Sequence, residues 1–292
     1  MDLKRTKTEE LLRKAFFGGL RASFRYRYFA EAARHKGMEQ IADILEATAQ
    51  NEAEHARHEL EFLNGAEDIV GNIRLAVSGE AEESTRFYPE AAKIADQEVF
   101  AEIADFFCRM SKVEAKHEKN FREILTSIET DTKIEGRTGG HSAVEMAQMM
   151  LPDQANPAGF VHGGELMKLM DNAAAVVAAR HSNTNVVTAS VENIEFHGPV
   201  RVGDLVIVHG TLIFNSHSSM EVKIEVEAED LLSGYSGKRR PALKAYFVMV
   251  ALDQNGKPTK VPPLILSTEQ EERLFQEGQE RYKMRKKDST LR

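Results

Sequence analysis

Asp153-Gln-Ala-Asn-Pro-Ala-Gly-Phe-Val-His-Gly-Gly-Glu-Leu-Met-Lys-Leu-Met-Asp171 reads as a loop feeding a helix. The loop carries Asn156, Pro157 and Gly159. Gly163 and Gly164 mark the turn, and Leu166, Met167, Leu169 and Met170 then recur at helical spacing. Glycines at a helix start let a ligand reach backbone N–H groups that have no intrahelical partner. Asp171 falls about two turns into the helix, among apolar neighbours, at roughly 3.6 residues per turn. A carboxylate in that setting is an acid/base candidate. A surface Asp on an ordinary helix is the alternative reading of the same spacing.

Working outward, the 292 residues suggest about two domains. A hydrophobic content of 42% and a charged content of 29% are enough for real cores. The net charge of −8, with no strongly basic block, argues against nucleic acid as the main partner. Cys108 is the sole cysteine, which excludes a disulfide framework and a four-cysteine metal site within one chain. The charged start (Lys4, Arg5, Lys7, Glu9, Glu10) has no signal-peptide core, and the longest apolar runs are too short to span a bilayer. A cytoplasmic, membrane-free protein is expected.

Residues 1–131 read as helical, with Pro89 the only proline. Apolar residues at spacings of three and four predict long helices over 7–35, 38–63, 67–87 and 98–129, with a short helical connection at 89–96. That is the layout of a four-helix bundle. Glu52 and His55, Glu80 and Glu83, and Glu114 and His117 are each three apart, so each pair shares one helix face. Such pairs on facing bundle helices build di-iron or di-manganese carboxylate sites. Solvated charges on Glu-rich helices are the other explanation.

Residues 132–141 lose the helical period, and Gly136, Gly139 and Gly140 predict a flexible linker. Residues 142–292 change character. A first strand is expected within 142–151, a helix from the opening stretch to about residue 180 at helical rise, and strands over 186–197, 205–216, 219–230 and 242–252. Glu221, Lys223, Glu225 and Glu227 alternate with apolar residues, the pattern of a sheet with one wet face. A last helix is expected over 268–286, capped at Ser267 and ending in a solvated basic cluster of Arg281, Lys283, Arg285, Lys286 and Lys287.

Two family resemblances follow from these motifs. Phe16-Phe-Gly-Gly-Leu-Arg-Ala-Ser-Phe-Arg-Tyr-Arg-Tyr-Phe-Ala30, Asn51-Glu-Ala-Glu-His-Ala56, Gly79-Glu-Ala-Glu-Glu83, Tyr88-Pro89 and Val113-Glu-Ala-Lys-His117 resemble rubrerythrin, a ferritin-like di-iron protein. The resemblance implies metal-ligand positions at Glu52, His55, Glu80, Glu83, Glu114 and His117, holding iron or manganese. Gly19 stands where that family has a helix-one ligand Glu, and the rubredoxin module is absent. Asn156-x-x-Gly159, Val161-His-Gly-Gly-x-Leu-Met-x-x-Met-Asp171, Val187-Thr-Ala-Ser-Val191, Pro199-Val-Arg-Val-Gly-Asp204 and Val261-Pro-Pro-Leu-Ile265 resemble acyl-CoA thioesterases of the hotdog superfamily.

The expected architecture is therefore multidomain. An all-α ferritin-like four-helix bundle (1–131) precedes a linker (132–141) and an α+β hotdog domain (142–292), an antiparallel sheet wrapped around a central helix. The second resemblance implies acyl-CoA hydrolysis to free fatty acid and CoA, with no cofactor. Asp171 is the catalytic carboxylate, as general base or nucleophile. Gly163 or Gly164 donates to the oxyanion, and Asn156 orients water or carbonyl. His162 takes a loop-positioning role. Thr188 and Ser190 border the pantetheine channel, and Arg201, Lys238, Arg239 and Arg240 are candidates for the CoA phosphates. The resemblance also implies active sites between protomers, hence a homodimer, with a hexamer as a trimer of dimers. Two other readings remain: a peroxide-responsive rubrerythrin-type oxidoreductase that uses the hotdog domain to dimerise, and a non-catalytic acyl-CoA-binding sensor.

Overall fold

Helix α1 (Lys7–His35) starts at Thr6, whose side chain accepts a hydrogen bond from the Glu9 N–H, and Glu9 and Glu10 sit in its first turn. The acceptor and the two acids satisfy the exposed N–H groups and the positive end of the dipole. Gly37, at φ 74°, reverses the chain into α2 (Glu39–Asn64). Small residues are buried along the pair: Gly19, Ser23, Ala30 and Ala33 on α1, and Ala42, Ala49 and Ala56 on α2. Small residues let two helix axes approach closely. A Cβ added to Gly19 would lie 3.3 Å from both the Ala56 Cβ and the Glu52 carbonyl oxygen.

A computed structural model describes residues 3, 5–64, 68–132, 135–231 and 239–290. Their contacts form two units, Met1–Ile73 and Arg74–Arg292. The first holds the α1–α2 hairpin. Helix α3 (Ile69–Glu82) runs on into a π-helical turn (Glu83–Phe87), α4 (Tyr88–Gln97) and α5 (Ala101–Glu129). The π turn falls where Pro89, in the first turn of α4, has no N–H to return to the carbonyl four residues back. Ser111 of α5 donates its hydroxyl to the Ser84 carbonyl at 2.8 Å and ties α5 to that turn.

Part of the expected linker is paired rather than free. β1 (Arg137–Thr138) runs parallel to β7 (Leu264–Ile265), and Gly139–Ser142 forms a helical turn, α6. The main sheet has five strands in the order β2-β4-β5-β6-β3, all antiparallel: β2 (Val144–Met149), β3 (Asn185–Phe196), β4 (Asp204–Asn215), β5 (Ser219–Asp230) and β6 (Arg239–Leu252). It curls around α7 (Gly163–Ser182), whose Leu166, Met170, Ala173, Ala174, Val177 and Ala178 are buried in one core with the sheet's inner residues. Leu166, Met170 and Val177 each contribute ~1.5–3 kcal/mol on burial. At Gly210 in β4 an added Cβ would lie 2.9 Å from the Val177 side chain of α7, which packs directly on the strand backbone there.

The opposite face of the sheet is wet at Glu225 and partly so at Lys223 and Glu227, as expected, and departs from expectation at Glu221. Helix α8 (Glu269–Thr290) covers it there, and Glu221 is fully buried instead of wet. Arg281 and Arg285 belong to no solvated cluster. Arg281 donates to one Glu221 oxygen at 2.7 Å, and Arg285 donates to the other at 2.8 Å and to Glu192 at 2.8 Å. Period-two alternation reports two faces but not which of them a later helix will cover. The cap of α8 also lies one residue past Ser267. Thr268 Oγ1 accepts from the Glu271 N–H, and Glu271 Oε2 accepts in return from the Thr268 N–H. The helical first part is thus ferritin-like, and the antiparallel sheet around α7 is the hotdog arrangement.

Candidate functional sites

The loop before α7 is built by one side chain. Asn156 Oδ1 accepts from the Ala158 and Phe160 N–H groups at 2.9 and 3.2 Å, and the Gly159 N–H closes the turn onto the Asn156 carbonyl at φ 83°. Only glycine adopts that φ without strain. The Asn156 side-chain amide is left as the donor still available. His162 is the N-cap of α7; its N–H is held by the Gln154 carbonyl at 2.9 Å, and its own carbonyl accepts from Glu165 and Leu166. The N–H groups of Gly163 and Gly164 precede those bonds, so neither has an intrahelical partner. His162 therefore holds the loop end.

Asp171 is half-buried on α7, and Thr188 of β3 donates its hydroxyl to Asp171 Oδ1 at 2.6 Å. β3 shifts register against β6 between Thr188 and Ser190. Such an irregularity re-aims a side chain that a regular strand would point elsewhere. Ser190 turns instead to Glu192, at 3.2 Å. No hydrogen bond joins Asn156 to Asp171 among the described residues. Arg201 pairs by backbone with Phe160 at the loop, and its side chain is exposed. Arg240 is committed to Asp204 and to the Pro199 and Ala228 carbonyls, while Arg239 faces Glu229 and Glu227. Lys238 lies outside the described residues.

A second cluster sits on α3 and α5. Among the described residues, Glu80, Glu114 and His117 offer ligand atoms within 4.8 Å of one another. His117 Nδ1 is 2.7 Å from Glu114 and 3.5 Å from Glu80, and Nε2 is 3.2 Å from the Ser267 carbonyl. Burial, and then the neighbouring Glu114, push the Glu80 carboxyl above its usual range. Burial works to lower His117, but the Ser267 carbonyl and the two carboxylates outweigh it and leave the imidazole more basic than usual. Two oxygens and one imidazole nitrogen converging in this way suit a single iron- or manganese-type ion. A cavity of about 540 Å³ opens beside them, lined in part by Asn120, Phe121, Ile124 and Ile265. Of the other expected ligands, Glu83 is exposed in the π turn. Glu52 and His55 face each other on α2 of the first unit at 3.9 Å.

The geometry accords with the relationships of the chain. A rubrerythrin family model matches residues 10–70 and 71–168, together more than half of the chain, and a thioesterase superfamily model matches residues 158–234. The chain belongs to both families. A rubrerythrin from Porphyromonas gingivalis is 39% identical over 147 residues, covering 46% of this chain and 74% of that protein. A hexameric acyl-CoA thioesterase, solved in the apo state, is 33% identical with a TM-score of 0.50, covering 55% of this chain and 100% of that one. The cytosolic acyl coenzyme A thioester hydrolase of Rattus norvegicus is 43% identical over 148 residues, 51% of this chain. The chain matches only 39% of that relative's length. The rubrerythrin-type part thus carries the carboxylate–imidazole triad, and the thioesterase-type part carries Asp171 with its glycine turn. Sequence reasoning did not find two contacts, Thr188 with Asp171 and Ser267 with His117. Neither is signalled by spacing, because each depends on how separate elements meet.

Proposed function

We propose that the chain is an acyl-CoA thioesterase that releases free fatty acid and CoA, with a metal-binding ferritin-like domain attached. The domain division proposed is 1–131, 132–141 and 142–292. The observation that carries the activity is Asp171, half-buried, with one oxygen held by Thr188 at 2.6 Å, on a helix whose first N–H groups are unpaired. With Oδ1 fixed, Oδ2 takes the proton of a water that attacks the thioester carbonyl. The oxyanion is received by the Gly163 or Gly164 N–H, and collapse expels the CoA thiolate. Direct attack by Asp171 to give an anhydride and expel the CoA thiolate is the variant of this step; water that then opens the anhydride at the aspartyl carbonyl would leave ¹⁸O from labelled water in the Asp171 carboxylate. Asn156 orients the carbonyl or the water through its free amide. Ser190 borders the channel with Thr188. Arg201, exposed beside the loop, is the phosphate candidate, with Arg239 and Arg240, both engaged by carboxylates, as further candidates; Lys238 is a candidate outside the described residues.

The site is completed between two copies, Asn156 from one and Asp171 from the other, in a homodimer that assembles as a hexamer. Edge strand β3 supports this, since Val187, Ile194 and Phe196 are 43%, 41% and 63% exposed. An exposed apolar edge is a pairing surface. The name of the cytosolic rat relative supports a cytoplasmic location. Among the described residues, no helix is long and apolar enough to cross a membrane.

Glu80, Glu114 and His117 would hold one iron or manganese ion, which would supply redox or Lewis-acid chemistry. Glu83, Glu52 and His55 are the other positions that match family ligands, and Gly19 stands in place of the helix-one Glu. The triad is also what favours the second reading, a peroxide-responsive oxidoreductase. The deciding experiment is an acyl-CoA panel assayed by free-thiol release, with metal content measured on the same sample. Asp171→Asn should lower turnover on the order of 10²-fold or more, as loss of a general base does. Wild-type rates in a folded Asp171→Asn protein would refute the assignment.

A further inference from the structure

The imidazole of His117 faces two ways. Nδ1 points at Glu114 and Glu80, and Nε2 lies 3.2 Å from the Ser267 carbonyl. The Ser267 carbonyl and the Glu114 carboxylate both only accept, so each ring nitrogen donates to one of them in the ion-free site; an ion taken at Nδ1 displaces the proton there and leaves Nε2–H on Ser267. The Ser267 carbonyl is itself held in place. The Ser267 and Thr268 N–H groups both donate to Glu271 Oε2, at 2.6 and 3.1 Å, at the capped start of α8. One residue from His117, Lys116 pairs with Glu272 of the same α8 turn. All of these residues lie within Arg74–Arg292.

We infer that Ser267 is a positioning residue for the Glu80–Glu114–His117 site: the thioesterase-type part of the chain supplies the carbonyl that fixes the tautomer and ring angle of a metal ligand in the rubrerythrin-type part. Outer partners of this kind, an N–H of a ligating imidazole given to a carbonyl, set ligand orientation and basicity. The contact works in both directions. An ion drawing on Nδ1 strengthens the Nε2–H bond to Ser267, and by linkage whatever orders the α8 start must raise affinity for the ion. The inference rests on the triad binding a metal ion.

The test uses the full chain and Mn²⁺ alone, with binding followed by titration calorimetry and by loss of the free-ion electron paramagnetic resonance signal. Glu271→Ala frees the Ser267–Thr268 segment and should weaken binding about tenfold, the low end for loss of an outer-shell partner. Glu271→Gln keeps an acceptor and should restore most of the affinity, which a general loss of stability would not do. In the wild-type chain, Mn²⁺ should slow hydrogen exchange of the amides at 267–271, a readout that needs no variant. If His117→Ala abolishes binding while Glu271→Ala binds as wild type and exchange at 267–271 does not change, the role of Ser267 is overturned and the metal site stands. If wild type binds no Mn²⁺, or His117→Ala binds as well as wild type, the metal reading fails and the inference with it.

Discussion

Thr188 holds Asp171 by one hydroxyl, and the consequence can be separated from the role of the carboxylate itself. Thr188→Val keeps the shape and removes the donor. A hydrogen bond to a charged group contributes about 1.5–3 kcal/mol, so a tenfold or larger fall in kcat/KM is expected. The loss should be smaller than for Asp171→Asn, and both are read by thiol release on the same acyl-CoA. Asp171 and the paired glycines were legible in the sequence because an acid following a glycine turn at helical spacing is a local pattern. The partner of Asp171 was not, because a register shift in β3 aims Thr188 at it, and nothing in Val187-Thr-Ala-Ser-Val191 announces that shift. Gly19 is a similar case. Its place in the motif marks a missing ligand, but the structure adds that it lies at the close approach of α1 and α2. Gly19→Glu would press on Ala56 and the Glu52 carbonyl, and overpacking of that kind costs about 1–3 kcal/mol. Urea unfolding should show the loss, whether or not metal binding improves.

At the scale of elements, boundaries followed the sequence closely wherever periodicity was long. α1 spans Lys7–His35, and β5 spans Ser219–Asp230, as the apolar patterns predict. What failed was the environment of a face. The charged side of β5 reads as solvated, and only the docking of α8 makes Glu221 a buried carboxylate between two guanidiniums. α8 itself reads as a charged, weakly apolar helix, but Gly278 lets it lie against Phe214, where an added Cβ would come within 2.5 Å of the Phe214 Cβ. Phe275 and Tyr282 flank the same ring at 5.0 and 5.5 Å. Removing the carboxylate in Glu221→Ala leaves Arg285 with Glu192 alone and Arg281 with only Glu277, at 4.0 Å. The expected cost is about 3 kcal/mol, the low end for breaking a buried pair, because both arginines retain some contact with water. Denaturant unfolding checks the magnitude. A change below ~0.5 kcal/mol, typical of surface substitutions, would mean that α8 is loosely held.

For the whole molecule, the change from a 3.6-residue period to a two-residue period made the two-part architecture legible, and the motifs in each part made the families legible. Pairing of the linker with β7 was not, since a two-strand parallel contact leaves no periodic trace in Arg137–Thr138. That region also holds a pH-sensitive point of the fold. His181, fully buried near the end of α7, donates from Nε2 to the Pro262 carbonyl at 3.0 Å, and its Nδ1 faces the Ser142 hydroxyl at 3.5 Å. Arg137 reaches across to the His181 carbonyl at 2.7 Å. The imidazole therefore joins α6, α7 and the segment before β7. Burial lowers its pKa below the ordinary 6.5, and the positive charge of Arg137 adds to that against the opposing effect of the Pro262 carbonyl. A group of this sign binds fewer protons folded than unfolded below the unfolded value. Its contribution to stability is present above pH 6.5 and falls as pH drops through that value towards the lower folded one. The unfolding midpoint should therefore decline as the pH falls below about 6.5, the ordinary histidine value from which the folded one is depressed. His181→Gln removes the titration, so it should lower stability at pH 7.5 and flatten the decline below it. An equally steep decline in His181→Gln would place the pH sensitivity elsewhere, in the carboxylates of the helical part.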